Sequence, residues 1–231
     1  MDLEKAAASL SASSLFRGIE PEVLEGVAEQ ATERRYRKGE FLFLEGDPGQ
    51  ALFVLVEGHV KVFVTSNQGE ELVLVTVGPP ESLGELSLID GHDRSASAQA
   101  LEPTLAIVIR QDAWQELTGR HPSLAQGMVG SLGALLRRLT GQTADLVFLD
   151  LPGRVARLLL GLAEERGRTE NGTLVLDLHV TQSDLARMVG GSRQSVNQIL
   201  GTLRDRGFLE VENRTLTVKD IDGLRRRAGV G

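Results

Sequence analysis

The chain has 231 residues, 41% hydrophobic and 25% charged, enough for one large domain or two modest ones of ordinary globular make-up. It has no cysteine, which excludes disulfides and cysteine-held iron–sulfur clusters. No apolar run approaches the ~20 residues of a membrane span. The net charge of −7 hides an asymmetry: residues 1–150 hold 12 Lys and Arg against 22 Asp and Glu, residues 151–231 hold 13 against 10, so a polyanion would meet the C-terminal third.

The opening "MDLEKAAASLSASSLF" lacks a basic-then-apolar signal pattern, so a cytoplasmic location is expected. "IEPEVLEGVAEQA" then reads as a short helix with Pro21 in its first turn. From about Arg35 to Arg110 the pattern is short apolar runs punctuated by glycine turns. "EFLFLEGDPGQ", "ALFVLVEGHVKVFVTSNQGEE" and "LVLVTVGPPESLG" predict strands of five to seven residues in an antiparallel jelly roll.

The roll includes "LGELSLIDGHDRSASAQA", Leu83 to Ala100, where charged side chains stand among apolar ones. A turn after Gly84 points backbone N–H groups at an anion, and Arg94, nine residues past Glu85, can return to the same pocket. An arginine fork suits a phosphodiester better than a lysine does. Two other chemistries compete: a metal site built from Glu85, Asp90, His92 and Asp93, and an enzyme with paired carboxylates. The first lacks a second histidine, and the second lacks a nucleophile or base at a readable spacing.

A long helix follows, with Pro122 suited to its first turn. Met128, Leu135, Gln142 and Leu149 recur every seven residues, as do Ala125, Leu132, Leu139 and Leu146. This a/d seam predicts a parallel two-helix dimer contact with Gln142 helping to set register; the plainer alternative packs the helix on its own domain.

After "DLPG", residues 150–153, a helix "RVARLLLGLAEERG" precedes an Asn-Gly turn and the strand "LVLDL". Thr181 can cap the next helix, with Asp184 near its positive end and Leu185, Ala186 and Val189 on its apolar face. "GGS", Gly190 to Ser192, forces a turn. The following helix, from Arg193 to about Arg204, buries Val196, Leu200 and Leu203 and shows Arg193, Gln194, Asn197 and Gln198 on its other face. Two short helices crossing at a glycine turn make a helix-turn-helix, and a guanidinium with three amides is the set that pairs with base edges in a major groove. Thr181 and Ser183 open the first helix as further candidate DNA contacts. "GFLEVENRTLTV" reads as a two-stranded wing turning near Asn213–Arg214. A bare helical hairpin with a solvated polar face is the alternative.

Jelly roll, long helix and helix-turn-helix, in that order, resemble the Crp/Fnr family of bacterial transcription regulators over about residues 12 to 227. The likeness rests on "GELSLIDGHDRSASA", similar to that family's phosphate-binding cassette, and on "TQSDLARMVGGSRQSVNQIL", similar to its helix-turn-helix. It implies an α+β chain with a cyclic-nucleotide-binding β-roll (1–120), a dimerisation helix (121–150) and a winged helix-turn-helix (151–231).

The resemblance also implies a role for each cassette residue. Gly84 and Leu86 would offer backbone amides, Glu85 would accept from the ribose 2′-hydroxyl, Arg94 would pair with the cyclic phosphate and Ser95 would add a hydroxyl. The family's cyclic-AMP members touch the base through a Thr-Ser or Thr-Asn pair, and here Leu139 and Thr140 stand at those positions. In their recognition helix an Arg-Glu pair is followed by an Arg four residues after the Glu; Arg193, Gln194 and Gln198 correspond.

The expectation is a homodimeric, non-enzymatic regulator of double-stranded DNA at inverted repeats, working with RNA polymerase and without a cofactor, metal or membrane. Its effector would be a cyclic nucleotide, cyclic AMP first. Cyclic GMP, cyclic di-GMP or no ligand remain open, as does a sensor whose helix-turn-helix contacts protein.

Overall fold

The computed structural model describes residues 2–170, 173–212 and 215–230. The chain forms two compact units, residues 1–137 and 138–231, which divide inside one long helix.

The first unit opens with α1 (Leu3–Ala12), a 3₁₀ turn (Ser14–Phe16) and α2 (Pro21–Gln30), which has its proline in the first turn as expected. Eight strands follow: β1 (Thr32–Tyr36), β2 (Phe41–Phe43), β3 (Ala51–Glu57), β4 (Val60–Thr65), β5 (Glu71–Val77), β6 (Ser82–Leu83), β7 (Ser97–Ala100) and β8 (Thr104–Arg110). They form two antiparallel sheets, ordered β1-β8-β3-β6 and β2-β7-β4-β5. Strands β2 and β6 are shorter than the sequence pattern predicts, at three and two residues. Between β6 and β7 lies a short helix, α3 (Glu85–Asp90), where the sequence suggests only a turn.

The period-two geometry of a strand explains why β3 and β8 read as continuous apolar runs. On β3, Phe53 and Leu55 point into the roll with Tyr36, Leu42, Val60, Leu83 and Ala98. Leu52 and Val54 point the other way, with Ile107 and Ile109 of β8, into a second core closed by α1, α2 and α4 (Gln111–Arg120). Phe16 and Trp114 meet there edge-on, their centroids 6.1 Å apart. Both faces of β3 and β8 are largely buried, so neither strand shows polar alternation.

The long helix is α5 (Pro122–Phe148). Leu124 and Met128 sink into the helix-side core with Leu15 and Trp114. This corrects the sequence-derived seam. Met128 is used up within its own unit; Leu139 and Leu146 of the expected seam are exposed, and the exposed apolar residues that pair with them are Val129 and Leu136. Those positions keep heptad spacing: the set of Leu132, Leu139 and Leu146 is common to both frames, while Met128, Leu135 and Gln142 give way to Val129, Leu136 and Thr143.

The second unit contains α6 (Leu151–Arg166), β9 (Arg168–Glu170), β10 (Thr173–Asp177), α7 (Gln182–Val189), α8 (Arg193–Asp205), β11 (Leu209–Glu212), β12 (Thr215–Val218) and α9 (Ile221–Arg227). Its sheet has the order β11-β12-β10-β9. Strands β11 and β12 pair antiparallel as the expected wing. The expected turns at Asn171–Gly172 and Asn213–Arg214 lie outside the described residues. One core joins Leu159 and Leu160 of α6, Leu185 and Ala186 of α7, Val196 and Leu200 of α8 and Leu224 of α9.

Asp150 ties the start of this unit to its end. Its carboxylate caps α6 by accepting from the Gly153 N–H at 2.8 Å. Both oxygens also accept from Arg227 Nη2, each at 2.8 Å. The Arg227 hydrogen bond, then the Gly153 N–H, hold the Asp150 carboxyl below its usual range. A depressed native pKa stabilises the fold above the ordinary carboxylate range and stops doing so as pH falls through the native value. Asp150→Asn keeps a capping side chain and removes the titration. Its unfolding midpoint should therefore fall less than that of the natural protein between pH 7 and pH 3. The pair is largely exposed, so the difference at pH 7 should be about 1 kcal/mol or less.

Candidate functional site

The cassette begins at Gly84, which caps α3 at φ 87°, a left-handed conformation that suits glycine. A Cβ there would stand 2.7 Å from Arg94 Nη1. Glu85 and Leu86 form the first turn of α3, whose N–H groups have no intrahelical carbonyl partner. Asp90 ends the helix, and its Oδ1 accepts from the His92 N–H at 3.0 Å.

The chain then returns through Arg94. Its backbone is pinned to the loop after β2: the Arg94 N–H donates to the Asp47 carbonyl at 2.9 Å, and the Gly46 N–H donates to the Arg94 carbonyl at 2.9 Å. The side chain is 5% exposed. Nη1 donates to the Gly84 carbonyl at 2.7 Å and Nη2 to the Ala51 carbonyl at 2.6 Å. The buried Nε has no hydrogen-bond partner among the described residues. Burial lowers the pKa of the guanidinium from its ordinary value, while Glu85 and then Asp47 raise it by charge; an arginine nonetheless stays a cation. The result is a buried positive charge hydrogen-bonded to two carbonyls, with the charges of Glu85 and Asp47 acting on it and a donor to spare.

Gly84, Glu85 and Arg94 are thus brought to one place. Ser95 follows on the exposed surface. Thr140 lies on α5 beyond the division between the units. The metal alternative finds no support: Glu85, Asp90, His92 and Asp93 do not gather their ligand atoms, and His92 is on the surface. Sequence reasoning missed the Ala51 carbonyl and the rings of Phe43 and Phe53, which lie near the guanidinium. The only local signal was strand alternation that turns both rings inward.

The second site is the helix pair. Thr181 and Asp184 form a reciprocal capping box at α7. Gly190 ends α7 at φ 64°, and Ser192 caps α8 by accepting from the Ser195 N–H. Val196, Leu200 and Leu203 are buried. Arg193, Gln194, Asn197 and Gln198 are exposed on the face opposite. Thr181, Gln182, Ser183 and Arg193 line one cleft beside β11, although the Thr181 hydroxyl is already engaged with Asp184 at 2.6 Å.

Residues 33–121 match the cyclic nucleotide-binding domain, and residues 153–227 match the Crp-like helix-turn-helix domain. The chain belongs to the Crp/Fnr family. Its members are transcription regulators rather than enzymes, and a Crp-like helix-turn-helix implies DNA binding. A CRP-like cAMP-activated global transcriptional regulator of Mycobacterium tuberculosis is 33% identical over 219 residues, covering 95% of this chain and 98% of that one. The cyclic AMP receptor protein of Thermus thermophilus is 32% identical, covering 91% and 94%. Among solved structures, the c-di-GMP responsive global regulator CLP of Xanthomonas campestris superposes with a TM-score of 0.74 at 25% identity, covering 86% and 99%. This Crp/Fnr chain therefore has the family's fold of β-roll, long helix and C-terminal helix-turn-helix. Among its described residues no helix is long and apolar enough to cross a membrane.

Proposed function

We propose that this protein is a homodimeric, sequence-specific regulator of transcription switched by cyclic AMP. The observation that carries the reading is Arg94: a buried cation with an unpartnered Nε beside the first turn of α3 suits an anionic phosphodiester. The phosphate would sit between that guanidinium and the N–H groups of Gly84 and Leu86, with Glu85 on the ribose 2′-hydroxyl and Ser95 on the phosphate edge. Thr140 of the dimer helix would meet the base. The division of labour is a nucleotide roll over 1–120, a dimer helix over 121–150 and a DNA reader over 151–231. RNA polymerase is the proposed downstream partner. The two relatives named for cyclic AMP support that choice of ligand. An effector acts here only through unequal affinity for the DNA-competent and incompetent arrangements.

Calorimetric titration of the full chain with cyclic AMP, cyclic GMP and cyclic di-GMP tests the ligand. Tightest binding of cyclic AMP is expected. A preference for cyclic di-GMP would move this protein toward the CLP type, and Leu139, in place of a hydroxyl residue, is where the expected base contact of cyclic AMP is incomplete. Binding of none of the three would end the nucleotide reading.

On DNA, Thr181, Ser183 and the first turn of α7 are suited to phosphates, while Arg193, Gln194, Asn197 and Gln198 are suited to bases. The fork of Arg193 fits guanine O6 and N7. A Gln amide pairs best with adenine N6 and N7, so Gln194 and Gln198 should favour or tolerate an A·T pair where a Glu–Arg set reads G·C. Selection from random duplexes should return an inverted repeat with half-sites about one helical turn apart and one retained guanine per half-site. Each base preference is worth about 1–3 kcal/mol. A strict TGTGA half-site with both guanines required would refute the assignment of the two glutamines. Binding that does not weaken with salt would refute DNA contact itself and leave the helix pair to a protein partner.

A further inference from the structure

Arg94 lies over two aromatic rings that no part of the cassette sequence supplies. Its Cζ is 4.3 Å from the centroid of Phe43 and 5.7 Å from that of Phe53. The two rings are 5.5 Å apart and tilted by 37°. They come from different sheets, Phe43 from β2 and Phe53 from β3, so the guanidinium sits where the two walls of the roll meet. The carbonyls of Gly84 and Ala51 accept from Nη1 and Nη2, and the ring of Phe43 is the nearer of the two to Cζ.

We propose that Phe43 and Phe53 are positioning residues: an aromatic seat, with Phe43 as its main support, that holds the Arg94 guanidinium in place before an anionic ligand arrives. The inference rests on the reading of this site as a nucleotide site. An arginine side chain has several rotatable bonds, and freezing them on binding weakens affinity. A ring face is negative and attracts a desolvated cation. It does so without adding a further carboxylate to Glu85 and Asp47, whose charges already act on the guanidinium, so no more of the positive charge is offset before a phosphodiester arrives. A carboxylate at the same place would neutralise it and compete with the ligand. The seat thus anchors the cation without satisfying it, and Nε stays unpartnered.

Fluorinating a phenylalanine ring withdraws electron density from its face with little change in shape, and so separates the seat from mere packing. In the full chain, Phe43 is replaced by 4-fluoro-, 3,5-difluoro- and pentafluoro-phenylalanine, and cyclic AMP is titrated calorimetrically. The expected result is a stepwise loss reaching about three- to tenfold in Kd at the pentafluoro ring. The unfolding midpoint of the ligand-free protein is read along the same series, with Arg94 present and in an Arg94→Met background. It should fall stepwise only where Arg94 is present. A flat Kd series, or midpoints that respond equally in both backgrounds, overturns the seat and leaves the rings as core packing. If the unsubstituted protein binds no cyclic nucleotide, the functional reading fails instead, and the two-background comparison alone decides the seat.

Discussion

Arg94→Ala should raise the Kd for cyclic AMP by at least about a hundredfold. A charge-assisted hydrogen bond to a phosphate oxygen is worth about 1.5–3 kcal/mol, and the fork offers two. The sequence suggests that such a change would spare the fold. The structure corrects this, because the same guanidinium satisfies the carbonyls of Gly84 and Ala51. Removing it leaves two part-buried acceptors without that donor, so the unfolding midpoint should drop by a few degrees as well. Arg94→Lys separates the two effects. It keeps a charge but loses the planar fork, and it should bind with an affinity between those of the natural protein and the alanine variant. Calorimetry and thermal unfolding on the three proteins read both quantities. Unchanged affinity in Arg94→Ala would move the ligand away from the cassette.

Leu136→Asp should convert the dimer to monomers. Leu136 is 66% exposed on the single chain, so an aspartate there displaces little of the protomer's own core. In a parallel pair of α5 helices the same position faces its counterpart, and two carboxylates would be buried without partners. An unpaired buried charge costs several kcal/mol, and about 4 kcal/mol already weakens association roughly a thousandfold. Sedimentation of the natural protein at micromolar concentration should show a dimer, and the variant a monomer of unchanged secondary structure. A dimeric variant would shift the interface off this stripe. A monomeric natural protein would remove the dimer itself. Leu135, which the sequence places in the seam, is the poorer probe because it is half-buried within its own chain.

The local features of this protein were legible without coordinates because each depends on residues a few positions apart. Thr181 and Asp184 are three residues apart and close a capping box. Gly190 can only be a turn between two helices whose apolar faces are spaced at three and four. The strands of the roll announce themselves by glycine-bounded apolar runs, although α1, α3 and α4 escaped notice because each mixes small or polar residues with few periodic apolar ones.

Tertiary structure decided what depends on distant pairs. The Ala51 carbonyl reaches Arg94 across 43 residues, and Arg227 reaches Asp150 across 77. No local pattern encodes either meeting. The register of α5 was ambiguous for a different reason. Met128 and Val129, like Leu135 and Leu136, are adjacent apolar residues, so two heptad frames fit the same sequence equally well. Only the packing of Leu124 and Met128 against the core of α1, α2 and α4 selects the frame, because a side chain buried in its own unit has no surface left for a partner.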